Sequence, residues 1–336
     1  MSSDDHYRAL RHGAGLIDTS NAHGRLLLEG ADRRSYLQGL LTNDIAALTP
    51  GTGCYAAYLT AQGRMIADMR VFELGDALLV DLEATVTSSV RDKWSLFIFS
   101  EDVRVEDRSL STAEVGIYGP HAARVLSEAL TAEQATPSPS AAELESMRVL
   151  ACSSLTLHGG MAIVLRSDDA GVMGFDVVMP AEAKDAFLSR LLEAGGVLVD
   201  RDAVDVCRVE AGRPRFGTDM TEDTIPLEAG IEGRAISLTK GCYVGQEIII
   251  RVLHRGHGRV ARRLVGLSLD PSASVPPRGS VIRSTDRDVG AITSAVRSPA
   301  LGRVVALGYV HRDFTTPGTG LSVGETAATV AALPFV

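Results

Sequence analysis

Apolar positions recur with two periods along this chain: short runs or alternations of strand type, and stripes at every third to fourth residue. Gly24 to Glu29 reads as a short strand, and Ala31 to Leu41 follows with Tyr36, Leu37, Leu40 and Leu41 on one helical stripe. Pro50-Gly51 closes this segment. Next come apolar runs of strand character, Cys54 to Leu59, Arg64 to Leu74 and Ala77 to Leu82. They are parted by Ala61-Gln62-Gly63 and Gly75-Asp76, which predicts successive antiparallel hairpins. Thr85 to Phe99 predicts a helix carrying Trp94. Val115 to Tyr118 predicts a strand that stops at Gly119-Pro120 before a helix over Ala122 to Leu130.

Thr131 to Ala142 holds Pro137 and Pro139 among Ser, Ala and Thr without an apolar period, the composition of a surface connection and a domain boundary. Beyond it, strands near Leu155 to Leu157, Ala162 to Leu165 and Phe175 to Met179 lead to a helix over Glu182 to Ala194, with Phe187, Leu188, Leu191 and Leu192 inward. Strand, strand, helix predicts an α+β unit. After Ala261 the pattern becomes short strands broken by Gly and Pro: Leu264 to Leu269, Ser280 to Ile282, Gly290 to Val296, Arg303 to Tyr309 and one near Ala328 to Ala332. That tail predicts a β-barrel or small sandwich.

Composition narrows the class. A chain of 336 residues predicts about two to three packed units, and 45% apolar with 22% charged residues excludes a disordered or fibrous chain. A formal net charge of -9 and an aromatic content of 5%, with Trp94 the single tryptophan, weigh against a nucleic-acid stacking surface. Direct nucleic-acid binding is therefore not expected unless basic residues cluster. Cys54, Cys152, Cys207 and Cys242 lie far apart with no C-x-x-C pair, which excludes a zinc ribbon and suits a reducing cytoplasm. No stretch approaches the roughly 18 apolar residues of a membrane span, so a soluble cytoplasmic protein is expected.

The densest chemistry is the octet Lys240-Gly241-Cys242-Tyr243-Val244-Gly245-Gln246-Glu247. Around two glycines stand a cation, a thiol, a phenol, an amide and a carboxylate, more polar variety than a strand with a glycine-rich turn requires. Lys240 close to Cys242 favours a thiolate, while a buried inert cysteine is an equal reading. Arg251, Arg255, Arg259, Arg262 and Arg263, with His254 and His257, follow as a local positive run in an acidic chain, either an anion-binding stripe or a solvated strand face. His254-x-x-His257 has no acidic partner beside it, so no metal is assigned. Upstream, Arg208-Val209-Glu210-Ala211-Gly212 places Glu210 where a helix or strand meets a turn, as either a ligand-binding or a surface-paired carboxylate.

These segments, with Gly39-Leu40-Leu41-Thr42-Asn43-Asp44 and Pro226-Leu227-Glu228-Ala229-Gly230, resemble the folate-binding superfamily of the glycine-cleavage T-protein over nearly the whole chain. Within it the octet is similar to the signature of the YgfZ branch, whose eukaryotic relatives act in mitochondrial iron-sulfur maturation. The resemblance implies an α+β three-domain ring with ferredoxin-like domains and a C-terminal β-barrel. Residues 1–50 plus 141–240 would form a discontinuous folate-binding domain, 51–140 an inserted α+β domain, and 260–336 the barrel. Tetrahydrofolate, or a one-carbon derivative, would bind in the central hole.

Glu210 matches the family's pterin-binding glutamate, and one carboxylate accepts a pterin's amine and ring N–H together. Tyr243, Gln246 and Glu247 join it as cofactor contacts, with Arg251 and Arg255 meeting the folate's glutamate tail. The catalytic candidates are Cys242, Lys240 and Asp68. Asp68 closes Gly63-Arg64-Met65-Ile66-Ala67-Asp68, where the family often carries two aspartates and this chain has Ala67 in place of the first. A second family stretch, rich in carboxylates, reads here Asp169-Ala170-Gly171-Val172-Met173-Gly174-Phe175-Asp176. Both departures favour a tetrahydrofolate-binding accessory protein that serves iron-sulfur client enzymes, including tRNA-modifying ones. The alternative is a folate-dependent aminomethyltransferase or demethylase.

Overall fold

A computed structural model of the protein describes residues 2–157, 160–254 and 259–336. Two β-sheets lie face to face, and a barrel stands beside them. The first sheet orders its strands as Val197–Leu198, Gly15–Asp18, Thr112–Tyr118, Gly174–Pro180, Gly160–Ser167 and Cys152–Leu157. The second orders Gly53–Leu59, Met65–Glu73, Ala77–Glu83, His23–Glu29 and Arg104–Asp107. The period of two decides which side chains meet. Val71 and Val80 turn outward under the helices Arg33–Leu40 and Ala84–Ser95, while Phe72 and Leu79 turn inward against Ile163, Leu165 and Val178 of the other sheet. Helices Ala122–Ala132 and Lys184–Glu193 cover the outer face of the first sheet. This is the expected α+β class.

From Arg262 to Ala331 six strands close into the expected barrel, which leaves no open edge. Val209, on the helix Arg201–Glu210, packs against Leu264, Val305, Leu307 and Tyr309 and joins barrel to body. No helix among the described residues is long and apolar enough to cross a membrane.

The chain changes sheet between Asp18 and His23 and returns between Asp107 and Thr112, not near residues 50 and 140 as the expected domain division has it. His23–Glu29 pairs along its length with Ala77–Glu83, so the N-terminal strand at 23–29 belongs with the hairpins. The proline-rich stretch leads instead to the short helix Ala141–Ser146, capped by Ser140 and Glu143, inside one sheet layer. Arg25, fully buried, ties both crossings together. Its guanidinium donates to the carbonyls of Ser20 (3.1 Å), Ser109 (2.7 Å) and Thr112 (3.2 Å) and to the Thr112 hydroxyl (2.8 Å).

Two helices differ from the pattern. Ser3–His12 is held by a capping box of Ser2 and Asp5 and buries only Leu10, against Ala203, Val204 and Cys207 of the helix Arg201–Glu210. Gln246–His254 is helical although Ile248, Ile249 and Ile250 favour strand; burial of Ile249 beside Tyr243 and Leu59 overrides propensity.

Candidate active site

A cavity of about 560 Å³ opens between the sheets, walled by both of them and by side chains from Arg201 to Arg234. Asp68 lies on its wall. In the strand Met65–Glu73, Ala67 and Met69 enter the apolar core, so Asp68 between them faces the other way. Tyr55 Oη donates to Asp68 Oδ2 at 2.5 Å, and the Arg234 guanidinium covers the Tyr55 ring at 5.1 Å. Asn43 Nδ2 donates to the carbonyls of Tyr55 (2.8 Å) and Arg234 (3.0 Å), so the N-terminal Gly39–Asp44 motif sets the position of both. Burial pushes the Asp68 pKa up to about 6, against the Tyr55 hydrogen bond, which favours the ionised form. A carboxylate poised there exchanges protons near neutrality.

Beneath lies a buried ion network that crosses from sheet to sheet. Arg70 binds Asp81, its direct cross-strand partner, through Nε at 2.7 Å and also through Nη2. Its Nη1 reaches Asp176 of the first sheet at 2.5 Å and Ser167 at 3.0 Å. His23 Nδ1 lies 3.1 Å from both Asp81 and Glu114. Burial opposes a charge on His23, but these carboxylates outweigh it and hold its pKa well above the usual value. Burial also works against ionised Asp81, yet Arg70 and His23 lower its pKa; burial and Asp81 together raise that of Glu114. His23, Asp81 and Glu114 present ligand atoms within 4.8 Å of one another. Arg70 and Arg25 already supply those carboxylates with positive charge, so the cluster is complete as an ion network.

The facing wall carries Arg208, Arg213, Arg215 and Arg234, each paired with an acid: Asp219, Asp168, Asp205 and Asp168 respectively. Arg201 is exposed on the cavity wall with no ion pair among the described residues. Among the described residues, Asp68 and Arg201 are the charged side chains of the wall that are not already in an ion pair.

The structure separates the residues expected to act together. Asp68 lines the cavity; the octet does not. Gly245, at φ 84°, sits on the hairpin turn after Leu59, where an added Cβ would lie 2.5 Å from the Thr60 carbonyl. Lys240 is buried and donates to three carbonyls, Gln38 (2.6 Å), Leu41 (2.6 Å) and Asn43 (2.8 Å). Burial pulls its pKa down to about 8. It is a clamp holding the Gly39–Asp44 loop, not a group facing the cavity. Lys240→Met leaves those oxygens without a donor and is expected to cost about 2–3 kcal/mol, read as a lower urea midpoint. Lost activity at unchanged stability would return Lys240 to the chemistry.

Glu210 does not line the cavity either. It is fully buried, with Tyr7 Oη at 2.9 Å, Ser298 Oγ at 2.5 Å and Arg11 Nη2 all donating to it. These contacts tie the N-terminal helix and the barrel to the body. Tyr243 is buried in the core beside Lys240, Cys242, Glu247 and Arg251 are exposed, and Gln246 is half-buried; none lines the cavity. Arg255 and His257 lie outside the described residues. The sequence reading missed Tyr55, Arg70 and the arginine wall. The signal was present as charges set inside apolar strands: Arg70, Asp81, Glu114 and Asp176.

Comparison with known proteins follows the same outline. The pattern of the GCVT N-terminal domain matches residues 2–240, and that of the glycine cleavage T-protein C-terminal barrel domain matches residues 262–336. Aminomethyltransferases of Cutibacterium acnes and Rubrobacter xylanophilus are each 30% identical to the chain, over 98% of it and over 89% and 85% of their own lengths. The crystal structure of glycine cleavage system aminomethyltransferase T from Bartonella henselae has the same fold, with a TM-score of 0.88 at 23% identity over 100% of this chain and 90% of that one. With both domain patterns in chain order and relatives matching from end to end, the chain belongs to the glycine cleavage T-protein family.

Proposed function

We propose that this protein binds a reduced folate in the inter-sheet cavity and moves a one-carbon unit there, as a cytoplasmic enzyme of aminomethyltransferase type. The observation that carries this is Asp68, a carboxylate on the cavity wall with a pKa of about 6 and a tyrosine fixing its orientation. The cavity's size falls within the ordinary range for small-molecule sites. Its chemistry fits a folate: the Asp68 carboxylate suits a donor of the pterin, and Arg201 suits a glutamate tail. Full-length relatives named aminomethyltransferase favour this over an accessory role. The test is incubation with tetrahydrofolate and an aminomethylated or methylated amine donor. Methylenetetrahydrofolate formed at an enzymatic rate supports the proposal, and folate binding without product removes the transferase.

A second reading is favoured by Cys242. It is exposed, whereas Cys152 and Cys207 are buried and Cys54 is half-buried, and none is in a disulfide. Residues 241–261, with nearly all of the octet, fall between the two family matches. A thiol presented by a segment outside the shared pattern suits the YgfZ-type role, in which folate binding supports iron-sulfur client enzymes. Under this reading Cys242→Ala lowers client-enzyme activity while tetrahydrofolate affinity stays at the wild-type value. Unchanged client activity removes it.

A further inference from the structure

A second cavity, of about 350 Å³, lies apart from the first and shares no lining residue with it. Arg11, Glu145 and Arg166 are its charged side chains, and Leu10, Val172 and Met173 give it apolar wall. Arg166 sets it apart. Other enclosed arginines meet a carboxylate: Arg70 has Asp81 and Asp176, Arg25 has Glu114, Arg208 has Asp219, and Arg11 has Glu210.

Arg166 has no acid within ion-pair distance among the described residues. Its guanidinium is stacked on the Phe175 ring at 4.5 Å and makes one long hydrogen bond, from Nη1 to the Gly174 carbonyl at 3.3 Å. Its buried Nε has no partner. A half-buried guanidinium with a hidden, unpaired Nε and no acid beside it gains from an oxyanion, the group that matches its fork of donors. Burial accordingly lowers the Arg166 pKa, with Glu145 acting weakly in the other direction. Arg11 adds a second guanidinium to the wall, its charge partly taken by Glu210. Glu145, exposed on the short helix Ala141–Ser146, is the single acid facing the same space.

We propose that this second cavity binds a small oxyanion with a short apolar body, held by Arg166, and that Glu145 competes with it for the guanidinium. The charged group pairs with Arg166 as carboxylates do elsewhere in the protein. The apolar body lies along Leu10, Val172 and Met173.

The test is calorimetry of the full chain with sodium butyrate and, separately, inorganic phosphate, at ionic strength held constant with chloride. Butyrate is expected to bind one to one with a Kd of about 1 mM, tighter than phosphate. Arg166→Gln is expected to weaken binding by about tenfold or more, and Glu145→Gln to tighten it several-fold. Glu145 is exposed, so its variant folds whatever becomes of Arg166→Gln. Phosphate binding more tightly than butyrate overturns the apolar part of the assignment. Absence of a one-to-one heat for either anion, or an affinity unchanged in Glu145→Gln, overturns the site as described.

Discussion

Asp68→Asn is expected to lower the rate of one-carbon transfer by about 10²–10³-fold, the usual worth of a positioned proton-transfer group. The protein should nonetheless fold at least as well as the wild type. Burial has raised the Asp68 pKa to about 6, above the usual carboxylate range, so the folded state holds this proton more tightly than the unfolded chain does. Its contribution to stability is present below the unfolded value and is lost as pH rises through about 6. At neutral pH the ionised group weakens the fold, and the neutral amide relieves that cost. With Asp68 as the proposed proton acceptor, the rate should rise with pH through about 6 and then level. Tyr55→Phe removes the donor that favours the ionised form and should move that midpoint upward. Steady-state rates across pH, with thermal melts of both variants, check all of this. A Tyr55→Phe midpoint that stays in place would separate Asp68 from the observed titration.

The largest stability effect is expected at Arg70. Arg70→Met leaves Asp176 buried without a cation and Asp81 with His23 alone, and breaking such a buried network typically costs about 3–5 kcal/mol. Urea unfolding monitored by Trp94 fluorescence measures it. The pH dependence follows from the partners. The lowered Asp81 pKa gives stability that is present above its unfolded value and lost as pH falls through the folded one. The raised His23 pKa gives stability that is complete below about 6.5 and lost only as pH rises through its folded value. In Arg70→Met the deficit should shrink at acid pH, where the stranded carboxylates accept protons. A deficit that does not vary with pH would show that packing, not charge, sets the role of Arg70.

Local pattern carried most of the element types and little of their assembly. Apolar runs between turn residues marked four of the five strands of the second sheet and five of the six in the barrel to within a few residues; Arg104–Asp107 and Gly320–Val323 were missed. The runs did not show which strands pair. The run at 23–29 and the run at 112–118 look alike in sequence, and only the register against Ala77–Glu83 and Gly15–Asp18 sends them to different sheets. The site was legible in Asp68, whose position follows a predicted hairpin turn. Glu210 and Lys240, polar residues of dense motifs, lie off the cavity wall and hydrogen-bond to the protein's own groups. A sequence displays donors and acceptors without showing whether their partners lie in the chain or in a ligand. Arg70 and Asp81 were passed over because each sits inside an apolar run, where a single charge is easily absorbed into the count.

Arg25 binds the outgoing and returning strands to each other at the neck between the two sheets, and Arg70 bolts the sheets together farther in. A hinge needs one side free to part. Here the sheets are fastened at two points, so they cannot swing open as a jaw does without breaking buried ion pairs. The space between them is a preformed socket that a ligand enters through its mouth. Selection falls on shape and charge already in place, and binding should leave the protein's hydrodynamic radius unchanged.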